Sequence, residues 1–234
     1  MITDLRIDNP QRPKWKKRLY LPAYSIKESA YYAGTYSQTV SYWHHHFTSR
    51  LAPAIPKKIK GESLSYYELI EVAFVATMRK ENISLQRIRN AREYARQTFK
   101  VEYPFAELRW QTEGTHLLLE LRESGESDLG KLIVADKHGQ EAWKPVMAER
   151  FKQFEYENGI ALIWHVRGTQ NPITINPRIS FGAPTINGIP TWVIKGRAEA
   201  GETPKEIEED FNIGVDDIAL ALQFEGIKLP ELAS

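Results

Sequence analysis

The sequence contains no cysteine in its 234 residues, which removes disulfides, thiolate metal centres and cysteine nucleophiles from consideration. A reducing compartment fits that absence. Long apolar runs are also missing. No stretch approaches the roughly 18 apolar residues a membrane helix needs, and the opening Met1-Ile2-Thr3-Asp4-Leu5-Arg6 lacks the apolar centre of an export signal. A cytoplasmic protein without a membrane partner is expected. What is present is ordinary globular material: 42% hydrophobic and 26% charged residues, enough to bury a core. The length admits one large domain or two to three small ones.

The net charge of +1 conceals a gradient. Residues 1–60 hold eleven Lys or Arg against three acids, residues 61–168 fifteen against seventeen, and residues 169–234 five against ten. A basic front and an acidic rear suggest a polyanion at one end and a different partner at the other. The run from Pro10 to Arg18 reads as a solvated basic arm, partly disordered, spanning 1–19.

Ser25-Ile26-Lys27-Glu28 is a capping box, in which serine and glutamate satisfy backbone donors at a helix start. Gly34 follows where a helix-ending residue with positive φ is easiest to place. After the turn Gly34-Thr35-Tyr36, Ser37 is placed to cap a second helix with Val40, Trp43 and Phe47 on one apolar stripe. The other face offers Ser37, Gln38, Thr39, Ser41, Tyr42 and His45, short or planar hydrogen-bonding groups suited to base edges and phosphates in a major groove. Two helices around a glycine turn are also a common packing corner. The stretch Pro56-Lys57-Lys58-Ile59-Lys60-Gly61, read as a short strand and turn, shifts the balance, because Lys57, Lys58 and Lys60 on a basic wing neutralise phosphates. The run His44-His45-His46 invites a metal reading. Consecutive helical residues point about 100° apart and cannot converge on one ion as an i, i+4 pair does, so these histidines are expected on the surface or facing DNA.

Ser65-Tyr66-Tyr67-Glu68 opens a further helix through Leu69, Val72, Ala73 and Ala76 to about Lys80. Ser84 caps another, with Leu85, Ile88, Ala91 and Ala95 inward and Arg87, Arg89, Arg92 and Arg96 mostly outward. A helix-turn-helix, a basic wing and then the pair Leu64-Ser65-Tyr66-Tyr67-Glu68-Leu69 and Ser84-Leu85-Gln86-Arg87-Ile88-Arg89 resembles the DNA-binding region of MerR-type regulators over residues 20–98. Tyr42-Trp43-His44 stands where such proteins often carry an arginine-rich recognition helix. No cysteine-rich effector loop follows, so metal sensing is not implied.

Residues 99–168 read as strands at 117–121 and 132–134, a helix from Gln140 to Gln153, and a hairpin turning at Asn158-Gly159. Asp136, Glu141 and His138 lack the nucleophile, acid–base partner or phosphate loop that catalysis needs, and no set of acids has the spacing of a metal-dependent nuclease. A connecting, dimerising or docking role is expected there, with no enzyme activity and no cofactor.

Residues 169–234 begin with a short strand at Ile173-Thr174-Ile175 and a turn-rich loop to Pro184, then a second turn at Asn187-Gly188. Helices follow at Thr191–Ala200, at Pro204–Asp210 behind the capping box of Thr203 and Glu206, and at Val215–Phe224. Ile207, Phe211, Ile213, Ile218, Ala221 and Leu222 face inward, in a bundle of helix-turn-helix shape. Glu202, Glu206, Glu208, Glu209, Asp210, Asp216 and Asp217 repel phosphates and favour a protein partner. The string Asn176-Pro177-Arg178-Ile179-Ser180-Phe181-Gly182-Ala183-Pro184, with Gly188-Ile189-Pro190-Thr191, Ala200-Gly201-Glu202 and Ile207-Glu208-Glu209-Asp210-Phe211, closely resembles a small domain assigned to bacterial antitoxins.

The fold expected is α+β and mainly helical: a winged helix-turn-helix, a small α/β middle segment and a C-terminal three-helix domain. As a whole the chain resembles a VapB-type antitoxin. That resemblance implies a PIN-domain ribonuclease toxin as partner, autoregulation through double-stranded operator DNA, and a homodimer. The alternative is a stand-alone MerR-like regulator with no toxin.

Overall fold

A computed structural model describes residues 13–45, 53–56, 58–108, 110–113, 116–121, 131–134, 140–141 and 152–227, the strands between 110 and 141 by their backbone alone. The fold is α+β and mainly helical. The chain divides into two compact units, Met1–Leu162 and Ile163–Ser234.

The first unit is organised by helix α4, Tyr66–Lys80, whose residues from Tyr66 to Ala76 are all buried. A helix buried on every side belongs at the centre of a core, and Leu69, Ile70, Val72, Phe74, Val75 and Met78 have no accessible surface. Around it stand α1 (Lys14–Arg18), α2 (Ile26–Tyr32), α3 (Ser37–His45), α5 (Leu85–Phe99) and α6 (Pro104–Glu107). The capping boxes at Ser25 and Ser65 form, and the Ser84 hydroxyl accepts from the Arg87 amide. Phe74 stacks on Phe105 with ring centroids 4.6 Å apart, and Tyr67 on Tyr103 at 5.1 Å. Strands β1 (Trp110–Glu113), β2 (His116–Leu121), β3 (Lys131–Val134) and β4 (Gln140–Glu141) form an antiparallel meander. Strands β5 (Phe154–Glu157) and β6 (Ile160–His165) then turn at Asn158-Gly159, both with positive φ, as that dipeptide favours. The Tyr66 hydroxyl donates to the carbonyl of Leu162 at 2.7 Å, tying α4 to this strand.

Four expectations are corrected. Lys14–Arg18 is helical, and Leu19 behind it is buried: its apolar side chain pins the end of the arm. Gln140 and Glu141 pair with Val134 and Ile133 instead of opening a helix, and residues 142–151 lie outside the described residues. Two of the four arginines expected outward, Arg89 and Arg92, are buried. Between Lys58 and Gly61 the backbone forms a turn without a strand; its nearest ladder contact is the isolated bridge Tyr24↔Leu64.

The buried arginine has a definite partner. Glu71 is fully buried in α4, where a carboxylate must be compensated. Its Oε2 accepts from Arg92 Nε at 3.2 Å, and its Oε1 accepts from the amides of Phe105 at 2.7 Å and Ala106 at 3.2 Å. Burial pushes the carboxyl up to about 7, against the lowering effect of Arg92 and of the two amides.

In the second unit, the end of β6 pairs with β7 (Thr174–Ile175), β7 with β8 (Pro184–Ile186), and β8 with β9 (Ile189–Pro190), all antiparallel. Helices α7 (Thr191–Glu199), α8 (Pro204–Phe211) and α9 (Val215–Phe224) follow. Ile194, Ile207, Ile218, Ala221 and Leu222 are buried, whereas Phe211 is half-exposed beneath the Arg197 guanidinium at 5.2 Å. The capping box at Thr203 forms.

Candidate nucleic-acid interface

Helices α2 and α3 meet at a turn where Gly34 takes φ +61, backbone that a side chain would strain. Helix α3 begins at Ser37, with Tyr36 in the capping position, since the Val40 amide already donates to the Tyr36 carbonyl. Its inward stripe is Val40, Trp43 and His44; Phe47, expected on that stripe, lies outside the described residues, as does His46. Ser37, Gln38, Tyr42 and His45 are exposed, and Thr39 and Ser41 are half-exposed. The six candidate residues of α3 therefore share the solvent side of one helix. Exposed Tyr36 extends that face at its N-terminal end.

His44 corrects the surface assignment of the histidine run. At one position after Trp43 it falls on the buried stripe, and its Nδ1–H donates to the Pro56 carbonyl at 2.5 Å. Nε2 is buried with no hydrogen-bond partner among the described residues, so a second proton there would have no acceptor. Burial accordingly lowers the His44 pKa to about 4. His45, on the outer side, donates from Nδ1 to the Ser41 carbonyl at 2.7 Å.

The His44–Pro56 bond brings the basic loop beside α3. Lys60 is exposed there. Lys58 is mostly covered and pairs with Glu68 at 3.1 Å, the carboxylate that also accepts from the Ser65 amide at 2.7 Å. Lys57 lies outside the described residues. A groove with a cavity volume of about 390 Å³ runs along the inner edge of α3, lined by Thr35, Thr39, Tyr42, Arg79, Lys80 and Leu85 among others. Lys80 Nζ donates to the Ala33 carbonyl and Arg79 to that of Ile83. Sequence reading passed over these two cations, whose signal was their place in the last turn of α4.

Chemically, the arrangement offers a rigidly held helix with hydroxyl, amide, phenol and imidazole groups facing water, flanked by Lys60 and by a groove holding two further cations. Among the described residues no group of three His, Asp or Glu is placed to hold a metal ion, and no helix is long and apolar enough to cross a membrane.

Comparison with known proteins defines the class by fold. The crystal structure of Rv2018 from Mycobacterium tuberculosis aligns with 88% of this chain and 99% of its own, with a TM-score of 0.61 and 15% sequence identity. At that identity the likeness is one of fold alone. Residues 173–224 match the family described as a protein of unknown function, DUF433. No curated protein matches the chain.

Proposed function

We propose that this chain is the antitoxin of a type II toxin–antitoxin pair, of VapB type, which binds operator DNA through a MerR-like N-terminal region and neutralises a PIN-domain ribonuclease toxin with its acidic C-terminal region. The observation that carries the DNA part is the division of α3: Val40, Trp43 and His44 fix one side in the core, while Ser37, Gln38, Tyr42 and His45 face solvent. A helix so held presents its polar side without reorganising, which suits a major-groove reader. The charge gradient supports the pairing of roles, with eleven bases against three acids up to residue 60 and five against ten from residue 169. The DUF433 match at 173–224 supports the antitoxin assignment of that region.

The test is retention of a duplex taken from upstream of the chain's own gene, titrated with salt. Binding should weaken by orders of magnitude between about 50 and 200 mM salt. Lys60→Ala should lower affinity across all sequences and flatten the salt slope by about one, whereas Gln38→Ala and Tyr42→Ala should relax discrimination between operator and random duplex. Absent or salt-insensitive binding overturns the DNA assignment.

A further inference from the structure

The second unit carries a strained loop with an exposed aromatic ring. The eight residues between Ile175 and Pro184, which pair across β7 and β8, pass through three successive positive φ values: Ser180 at 44°, Phe181 at 59° and Gly182 at 82°. A bulky residue at positive φ stores strain that its surroundings must hold in place. Phe181 nevertheless keeps 75% of its surface in water. Strain is here spent on displaying an aromatic ring.

A second aromatic stands at the same end of the sheet. The Thr191 hydroxyl lies 3.4 Å from the Pro184 carbonyl, so α7 starts at the base of that loop. Its next residue, Trp192, is 60% exposed. One turn further along α7, four residues on and hence on the same side, Gly196 is exposed and a Cβ built there would meet nothing within 4 Å. Glycine in a helix interior destabilises it relative to alanine, and nothing in the fold demands its small size. A bare patch of backbone beside an exposed tryptophan suits the close approach of another molecule.

We propose that Phe181, Trp192 and the bare surface at Gly196 form the docking face for a basic protein partner. Aromatic anchors dominate protein interfaces. The acidic excess after residue 168 selects a cationic protein over nucleic acid and disfavours a second copy of the same acidic unit. Glu225, which accepts from Thr191, adds to that field, and Glu199 stands farther along α7, paired with Lys195 at 3.9 Å. This inference rests on the proposed antitoxin function, whose partner it locates.

The experiment uses the full chain and the purified product of the reading frame adjacent to its gene, with affinity measured by titration calorimetry. Trp192→Ala and Phe181→Ala should each weaken binding about tenfold or more, an anchor-sized effect. Gly196→Ala separates folding from docking: it should raise the Tm of the free chain by about 2–4 °C while lowering affinity severalfold. Gln86→Ala, exposed on α5 of the first unit, should leave affinity unchanged. Wild-type binding that all three variants retain overturns the face and spares the functional assignment. If the adjacent product does not bind the wild-type chain, both fall together. Loss of a wild-type homodimer on Trp192→Ala, seen by size exclusion, would assign the face to self-association and overturn the proposal.

Discussion

The two units handle charge in opposite ways. In the first, Glu71 and Arg92 are withdrawn from water and joined to the amides of Phe105 and Ala106. In the second, Arg197 reaches Glu202 and Asp210 at the surface. The chemistry is the same, guanidinium with carboxylate, yet the consequences differ. A buried pair is costly to assemble and far costlier to break, because removing one member strands the other. A surface cluster is screened by water and loses little when one member goes.

The largest effect expected from that contrast is at Arg92. Arg92→Ala should destabilise the chain by about 3–5 kcal/mol in denaturant titration, since Glu71 keeps its burial and loses its cation. A loss no larger than that of an ordinary surface substitution would show that water reaches the Glu71 pocket.

The second test uses pH. Glu71 is raised to about 7 by burial, so its contribution to stability is present at low pH and is lost as pH rises from the ordinary glutamate value through 7. His44, lowered to about 4 by burial, contributes above its ordinary value near 6.5 and loses that contribution as pH falls through 4. Between roughly pH 4.5 and 6.5 the two slopes oppose each other. Glu71→Gln should therefore steepen the gain in stability with rising pH relative to wild type, and His44→Gln should turn the slope downward, both read from urea midpoints across that window. Identical pH profiles for wild type and both variants would break the assignment.

Smaller again is Tyr66→Phe, which leaves the Leu162 carbonyl without its buried donor and should cost about 1–3 kcal/mol. Smallest is Arg197→Ala. Its exposed bonds should leave the Tm close to wild type, checked by calorimetry at low and high salt. A large loss there would erase the contrast between the units.

Much of this was legible in the chain. Capping boxes at Ser25, Ser65 and Thr203 are local chemistry, and each forms as its spacing dictates. The helices of the second unit begin at Thr191, Pro204 and Val215, the residues that periodicity marked. The burial of Arg92 was not legible, because its partner lies 21 positions earlier, on a helix buried on all sides, and charge pattern alone reads arginine as solvated. His44 was misread for the same reason: three adjacent histidines look alike in sequence, and the bond to Pro56 distinguishes the first of them from His45. On α3, hydropathy sorted Val40 and Trp43 from Gln38 and Tyr42 correctly. Lys58 escaped it, because the Glu68 that claims it lies on another element.

That last pairing carries a consequence for the first turn of α4. Glu68 holds the Ser65 amide with one oxygen and Lys58 with the other, so a single carboxylate serves both as a helix cap and as the anchor of the basic loop. Any incoming anion that draws Lys58 outward must compete with Glu68 for it, and success leaves that carboxylate buried with one oxygen unmatched. Loop and helix end thereby depend on one side chain, and losing Glu68 would release both.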